Sequence, residues 1–311
     1  MTLAPFIQIV ARGKGRARAM TMDEAQEAMA LILTGDAAPE AVGALLMVMR
    51  LRGETADEIA GFTAALRAHV AGTLPKADLE WPSYAAGRSR GVPLFLLAAR
   101  LVGQAGYLVS MHGWNSHQSA TASVREAIDL AVPNVNYSPL ETLSPEAFAV
   151  LNLRDTFGLR SCFNTVLRMW NPSGARATVQ GVFHPSYRSL QAQAAALLGQ
   201  KDLSIIKGGG GEFERHPSKD TVVFGLRDGA HIQETAEHIL QDTRRLHEAG
   251  KTINLSDLWQ GHVRDRFAIA TITGTAALAL WTLKAAPTPH EAHQMARGLW
   301  ASRHHTESLS A

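Results

Sequence analysis

Over the first seventy residues, apolar side chains recur every three or four positions, and each recurrence is bounded by helix start and stop signals. The stretch TMDEAQEAMALILTG opens on Thr21, whose hydroxyl can accept from the free amides of a first turn. It carries Asp23 and Glu24 in that turn and ends at Gly35, a residue suited to a left-handed C-cap. Ala28, Leu31 and Ile32 then share one face. PEAVGALLMVMRLRG starts at Pro39, a favourable first-turn residue, and TADEIAGFTAALRAHV repeats the cap-then-acid start from Thr55 to Glu58. The pattern predicts three short helices joined by tight glycine turns, a helical domain over residues 1–74.

After GTLPKADLEWP, read as a linker, the period changes. PLFLLAARLVGQAG, SVREAIDLA and YRSLQAQAAALLG keep helical spacing, whereas YLVSMHG, TVQGVFHP and DLSIIKGGGG read as strands leading into loops. Alternation of this kind predicts an α/β domain over residues 75–311 with a mostly parallel central sheet. Ligands bind such sheets beyond the C-terminal ends of the strands, so the loops MHGWNSHQS, VFHPSY and KGGGGEFE are expected to border one cleft.

Composition adds limits rather than identity. A chain of 311 residues with 46% hydrophobic residues can bury a large core. The 30 basic against 28 acidic residues give a net charge of +2, so only the local distribution of charge can point to a polyanion. Cys162 is the sole cysteine, which rules out an internal disulfide and fits a reducing compartment. With no charged leader and no long apolar run, the expected location is the cytoplasm, away from membranes. His117, His184 and His216 lack metal-ligand spacing, and no zinc site is assigned. The run KGGGGEFE lacks the Lys-Ser/Thr ending of a phosphate loop. A flexible turn and a close approach of ligand or backbone both remain open for it.

Several segments resemble a known family. MDEAQEAMALILTGDAAPEAVGALLMVMRLRGETADEIAGF is similar to the N-terminal helical domain of anthranilate phosphoribosyltransferases and of their fold relatives, the class II nucleoside phosphorylases. The resemblance continues through Met111 to Gly113, similar to the family's Lys-His-Gly-Asn-Arg loop. It extends through LRSCFNTVLRMWNP, where Arg160 precedes the Phe163–Asn164 pair, and through GVFHP. It implies the class II phosphorylase/phosphoribosyltransferase fold and a homodimer formed through the helical domain, whose Ala, Leu and Met faces exceed what three helices can bury alone.

The departures fall where the family's chemistry lies. WPSYAAGRSRG stands in place of the Gly-Thr-Gly-Gly-Asp diphosphate loop, keeping Gly87 and supplying Ser83, Tyr84, Arg88 and Arg90. Trp114 and Asn115, followed by Ser116, replace the family's Asn and Arg after His112 and Gly113. Phe213 and Glu214 occupy the positions of an Asp-Glu pair that holds Mg²⁺, with Glu212 as a substitute ligand. A divergent branch of the family, which opens with an Arg-Gly-Lys segment like ARGKGRARAM and includes a nucleic-acid-binding dimer, matches better. The resemblance then implies a polyanion on Arg12, Lys14, Arg16, Arg18, Arg88 and Arg90, with Arg160, Arg168 and Arg176 near the cleft and Trp81, Tyr84 or Trp114 for stacking. Two functions are therefore expected. One is binding of nucleic acid or a nucleotide-like phosphate ligand without a cofactor. The alternative is phosphoribosyl transfer with Arg160 orienting a carboxylate and Glu212 and Glu214 holding Mg²⁺.

Overall fold

The computed structural model describes residues 2–13, 15–72, 74–84, 91–114, 123–127, 132–241, 244–246 and 253–304. The three expected helices are α2 (Met22–Leu33), α3 (Pro39–Arg52) and α4 (Ala56–His69), and α1 (Ala4–Ala11) precedes them. Thr21 and Thr55 each close a capping box: the hydroxyl accepts from the amide of Glu24 or Glu58, whose carboxylate accepts in return from the amide of the capping threonine. Helix α1 buries Phe6 and Val10 against the module.

A seven-stranded sheet follows, ordered β3-β2-β1-β4-β5-β6-β7. Strands β1 (Leu79–Ser83), β2 (Val109–Gly113), β3 (Val135–Pro139), β4 (Ala177–Val182) and β5 (Asp202–Lys207) run parallel, and β6 (Thr221–Arg227) and β7 (Ala230–Ala236) complete one edge antiparallel. The β6–β7 hairpin turns on Asp228 and Gly229, both at positive φ, as a two-residue turn matched to strand twist requires. Strand β1 occupies part of the expected linker. All five of its residues are buried, because a central parallel strand is covered on both faces and loses the alternation that marks an exposed one.

The connecting helices are α5 (Phe95–Gln104), α6 (Val124–Ala127), α7 (Leu140–Leu143), α8 (Pro145–Phe157), α9 (Phe163–Met169), α10 (Tyr187–Leu197), α11 (Leu255–Gln260), α12 (Arg266–Thr282) and α13 (Pro289–Ser302). They divide between the two faces. Leu79, Trp81 and Ile206 pack with α5, α11, α12 and α13. Leu203 and Ile205 point the other way, toward α9, α10 and the N-terminal helices. Residues 140–170 share that second core, so the helical layer extends beyond the first 74 residues and recruits the crossover between β3 and β4.

The tightest helix contact is between α2 and α4. A Cβ on Gly61 would lie 2.2 Å from the Met22 carbonyl oxygen and 2.7 Å from the Ala25 methyl. Gly61→Ala therefore forces two helices apart and is expected to destabilise the protein by about 3 kcal/mol in urea denaturation. Gly298, mid-helix in α13 with open space around it, is the control: Gly298→Ala is expected to stabilise by about 0.5–1 kcal/mol. Equal effects of the two substitutions would refute the packing argument.

Candidate functional site: an arginine-lined cleft

Beyond the C-terminal ends of β4 and β5, a cleft of about 820 Å³ opens toward the helical layer. Among the described residues four arginines line it, Arg50, Arg154, Arg160 and Arg168, against one acid, Asp155. Leu159 and Phe183 also line it, 53% and 51% exposed, which is unusual for large apolar side chains and leaves them available to a ligand. Tyr187 of α10 lies in the wall and donates to Glu54 at 2.9 Å, tying the α/β domain to the helical module. Burial and the nearby Glu54 carboxylate push the Tyr187 hydroxyl up to about 12.

Arg168 is the buried cation of the set. Its Nη2 donates to the Tyr84 carbonyl at 2.6 Å and its Nη1 to the Asn164 carbonyl at 3.3 Å. Desolvation lowers its pKa and the Glu212 carboxylate opposes that shift, so Arg168 stays cationic beside a partial counter-charge. The glycine run passes beneath it. Gly208 and Gly181 admit the backbone of Glu212 so closely that any Cβ there would overlap it, and Gly211, at φ +90°, lies against Arg168 and Phe183. The run is a packed floor, with Gly210 lining the cleft itself.

Behind this floor lies a buried polar chain. Glu80, fully enclosed on β1, accepts from Ser110 Oγ at 3.0 Å and from both the amide and the hydroxyl of Ser173. His112 Nε2 stands 3.7 Å from Glu80 Oε1, and His112 Nδ1 bonds the Tyr84 hydroxyl at 2.7 Å. Burial raises Glu80 to about 7 and lowers His112 to about 3. Despite its distance the contact is therefore not an ion pair: the imidazole is neutral at any physiological pH. Glu80 was not singled out from sequence, although a lone acid within LEWP, between apolar neighbours, was the available signal.

The sequence-predicted residues separate into groups. Arg160 and Asn164 line the cleft. Ser83, Tyr84, His112 and Gly113 are buried, and a Cβ on Gly113 would collide with the Ser83 backbone, so its glycine serves strand packing. Trp81 is enclosed between Phe95 and Phe213 and cannot stack on a base. Trp114 meets Phe148 edge-on, with the Arg154 guanidinium 5.0 Å from its ring. Arg176 lies before β4, at the opposite end of the sheet from the cleft, paired with Asp202 and Asp228. Arg18 is held by both carboxylate oxygens of Glu24, while Arg12 and Arg16 are exposed. Lys14, Gly87, Arg88, Arg90, Asn115, Ser116 and His117 lie outside the described residues.

The predicted metal ligands do not fit a diphosphate-bridging cation. Glu214 is buried and accepts from the Phe95 amide at 2.9 Å at the start of α5, and Phe213, which offers no donor, packs against Trp81. Glu212 is buried next to the Arg168 cation. Among the described residues no three His, Cys, Asp or Glu side chains converge as a cation site. No helix among them is long and apolar enough to cross a membrane.

The buried carboxyl makes a pH signature. With Glu80 at about 7 in the folded protein and 4.5 ordinarily, the folded state binds more protons between those values. Stability therefore falls as pH rises from about 4.5 through 7, by about 3 kcal/mol in all, and levels off above about 8. Glu80→Gln is expected to flatten this slope, gaining on the parent from pH 5 to pH 8 in denaturant midpoints. Parallel pH profiles would show that Glu80 does not carry it.

Comparison with known proteins agrees with the fold. Residues 4–70 match the helical bundle domain of a glycosyl transferase family. The chain is 30% identical over 251 residues to an anthranilate phosphoribosyltransferase of Rhizobium rhizogenes, covering 73% of this chain and 70% of that one. It superposes on an anthranilate phosphoribosyltransferase of Thermus thermophilus with a TM-score of 0.76 at 23% identity, covering 92% of each chain. The Saccharomyces cerevisiae enzyme in complex with PRPP (phosphoribosyl diphosphate) and Mg gives a TM-score of 0.70 at 17% identity, covering 96% of this chain and 93% of that one. The 30% identity, covering more than two thirds of both chains, makes this chain a member of the anthranilate phosphoribosyltransferase family.

Proposed function

We propose that the cleft binds a phosphorylated small molecule of the phosphoribosyl or nucleotide class, and that the protein does not transfer its pentose to anthranilate. The observation that carries this reading is the charge of the cleft: four arginines against a single aspartate, beside two exposed apolar side chains. Guanidinium groups suit phosphate oxygens, and Leu159 and Phe183 offer a face for a planar or apolar moiety. Gln191, buried in the cleft wall, has a side-chain oxygen with no hydrogen-bond donor among the described residues, an acceptor for a ligand hydroxyl. The related yeast enzyme with PRPP and Mg supports the ligand class. The metal part of that chemistry is not carried over, because Phe213 lacks a ligand atom and Glu214 already accepts from Phe95.

Nucleic-acid binding is the second reading, favoured by Arg12 and Arg16, exposed after α1. Titration calorimetry with phosphoribosyl diphosphate, with and without Mg²⁺, and with oligonucleotides over a range of salt separates the two. Phosphoribosyl diphosphate is expected to bind without requiring Mg²⁺, and Arg160→Ala, at an exposed position, to weaken it about tenfold with an unchanged melting temperature. Tight, steeply salt-dependent oligonucleotide binding without phosphoribosyl diphosphate binding would sink the small-molecule reading. Turnover of anthranilate at rates ordinary for an enzyme would sink the non-transferase reading and restore the Mg²⁺ alternative.

The same reading includes a homodimer through the helical module. Leu51, at the end of α3, is 91% exposed, an isolated large apolar group that a second copy would cover. Light scattering at micromolar concentration is expected to give twice the chain mass, and Leu51→Glu to shift it toward the monomer. A monomer mass for the parent protein defeats the proposal.

A further inference from the structure

A second cavity, of about 910 Å³, lies between α11, α12, α13 and the chain that follows β7, and it shares no lining residue with the arginine-lined cleft. Its walls are apolar: Leu240, Leu258, Ile269, Ala270 and Trp300. Its other lining residues include Arg264, Arg266 and Arg297, all exposed, and no Asp or Glu among the described residues lines it. None of these three arginines has an ion-pair partner among the described residues, so three like charges surround one opening. A fourth, Arg303, is a fixed corner: it donates to the carbonyls of Trp259 and Trp300 and lies over the Trp300 ring.

His293 also lines the cavity. Its Nε2 is buried and has no hydrogen-bond partner among the described residues, an arrangement that folded proteins rarely leave unsatisfied. Burial, reinforced by the neighbouring Arg215 and Arg297 cations, lowers its pKa to about 4, so it is neutral at physiological pH. It has a free ring nitrogen to offer a ligand, without adding a charge of its own.

We propose that this cavity is a second ligand site, for an amphipathic carboxylic acid whose apolar body lies against Leu240, Leu258, Ile269 and Trp300 and whose carboxylate meets Arg264, Arg266 and Arg297. The walls and the cations select the class together. Inorganic phosphate would leave the apolar walls wet, and a neutral apolar molecule would leave the three arginines without a counter-charge. An anion with an apolar body satisfies both, and one of its oxygens can accept from His293.

Titration calorimetry of the full chain with octanoate, 1-octanol and octylamine tests this. Octanoate is expected to bind about tenfold or more tightly than 1-octanol, and octylamine not at all. Arg297→Glu and Arg264→Glu, both at exposed positions, are expected to weaken octanoate about tenfold each while the melting temperature holds. His293→Leu, which keeps the wall apolar, is expected to weaken octanoate but not 1-octanol. Arg160→Ala, in the other cleft, should leave octanoate affinity unchanged. Absence of octanoate binding at millimolar concentration, equal affinity for octanoate and 1-octanol, indifference to Arg297→Glu, or loss of binding in Arg160→Ala would each overturn the proposal.

Discussion

A carboxyl group with no access to water, that of Glu80, joins the parts of the fold that place the cleft. It receives hydrogen bonds from β2 through Ser110 and from the turn after α9 through Ser173. The Arg67 guanidinium of α4 donates to the carbonyls of Met169 and Trp170, the last turn of α9, and acts on Glu80 electrostatically. Burial lowers Arg67 to about 10, which still leaves it charged. Helix α9 is thus held at its C-terminal end from two sides, by the sheet and by the helical module. That anchorage fixes where its Asn164 and Arg168 meet the cleft. Enclosing a carboxyl is expensive unless its oxygens are satisfied, and here three donors and a near-neutral pKa meet that requirement.

The same arrangement encloses the residues around the end of β1. Tyr84 directs its hydroxyl to His112 and its carbonyl to Arg168, so the start of the loop after β1 is part of the interior. Phe213 completes an aromatic cluster with Trp81 and Phe95, and Glu214 caps the first turn of α5. Tyr84, Phe213 and Glu214 are thus spent on packing and on the first turn of α5. Open to solvent there are Arg160, Leu159 and Phe183, with Asp155, and the buried Arg168 is a fixed charge at the back. A rigid cation in a site of low polarity attracts an anion more strongly than an exposed one does, because less solvent screens it.

The helical N-terminus, the α/β class and the parallel sheet were legible in the sequence because each rests on local chemistry. Thr21, Thr55 and Pro39 mark helix starts through backbone groups only a few residues away, and the apolar runs at β2, β4 and β5 carry strand propensity wherever they pack. The cleft loops after β4 and β5 follow from strand direction alone. Other features depended on partners far along the chain. LEWPS reads as a linker until Ser110 and Ser173, 30 and 93 residues away, enclose Glu80, and only then is β1 a central strand. Arg168 and Arg176 are alike as letters, yet the first caps a buried carbonyl in the cleft and the second pairs with Asp202 and Asp228 at the far end of β4. The cavity beside His293 has no motif at all, since its lining is gathered from α11, α12, α13 and the chain after β7. Sequence determined the capped N-terminal helices, the strands at β2, β4 and β5 and that arginines are available. Tertiary packing decided which of them face a ligand, because burial and pairing are set by neighbours that the local pattern does not contain.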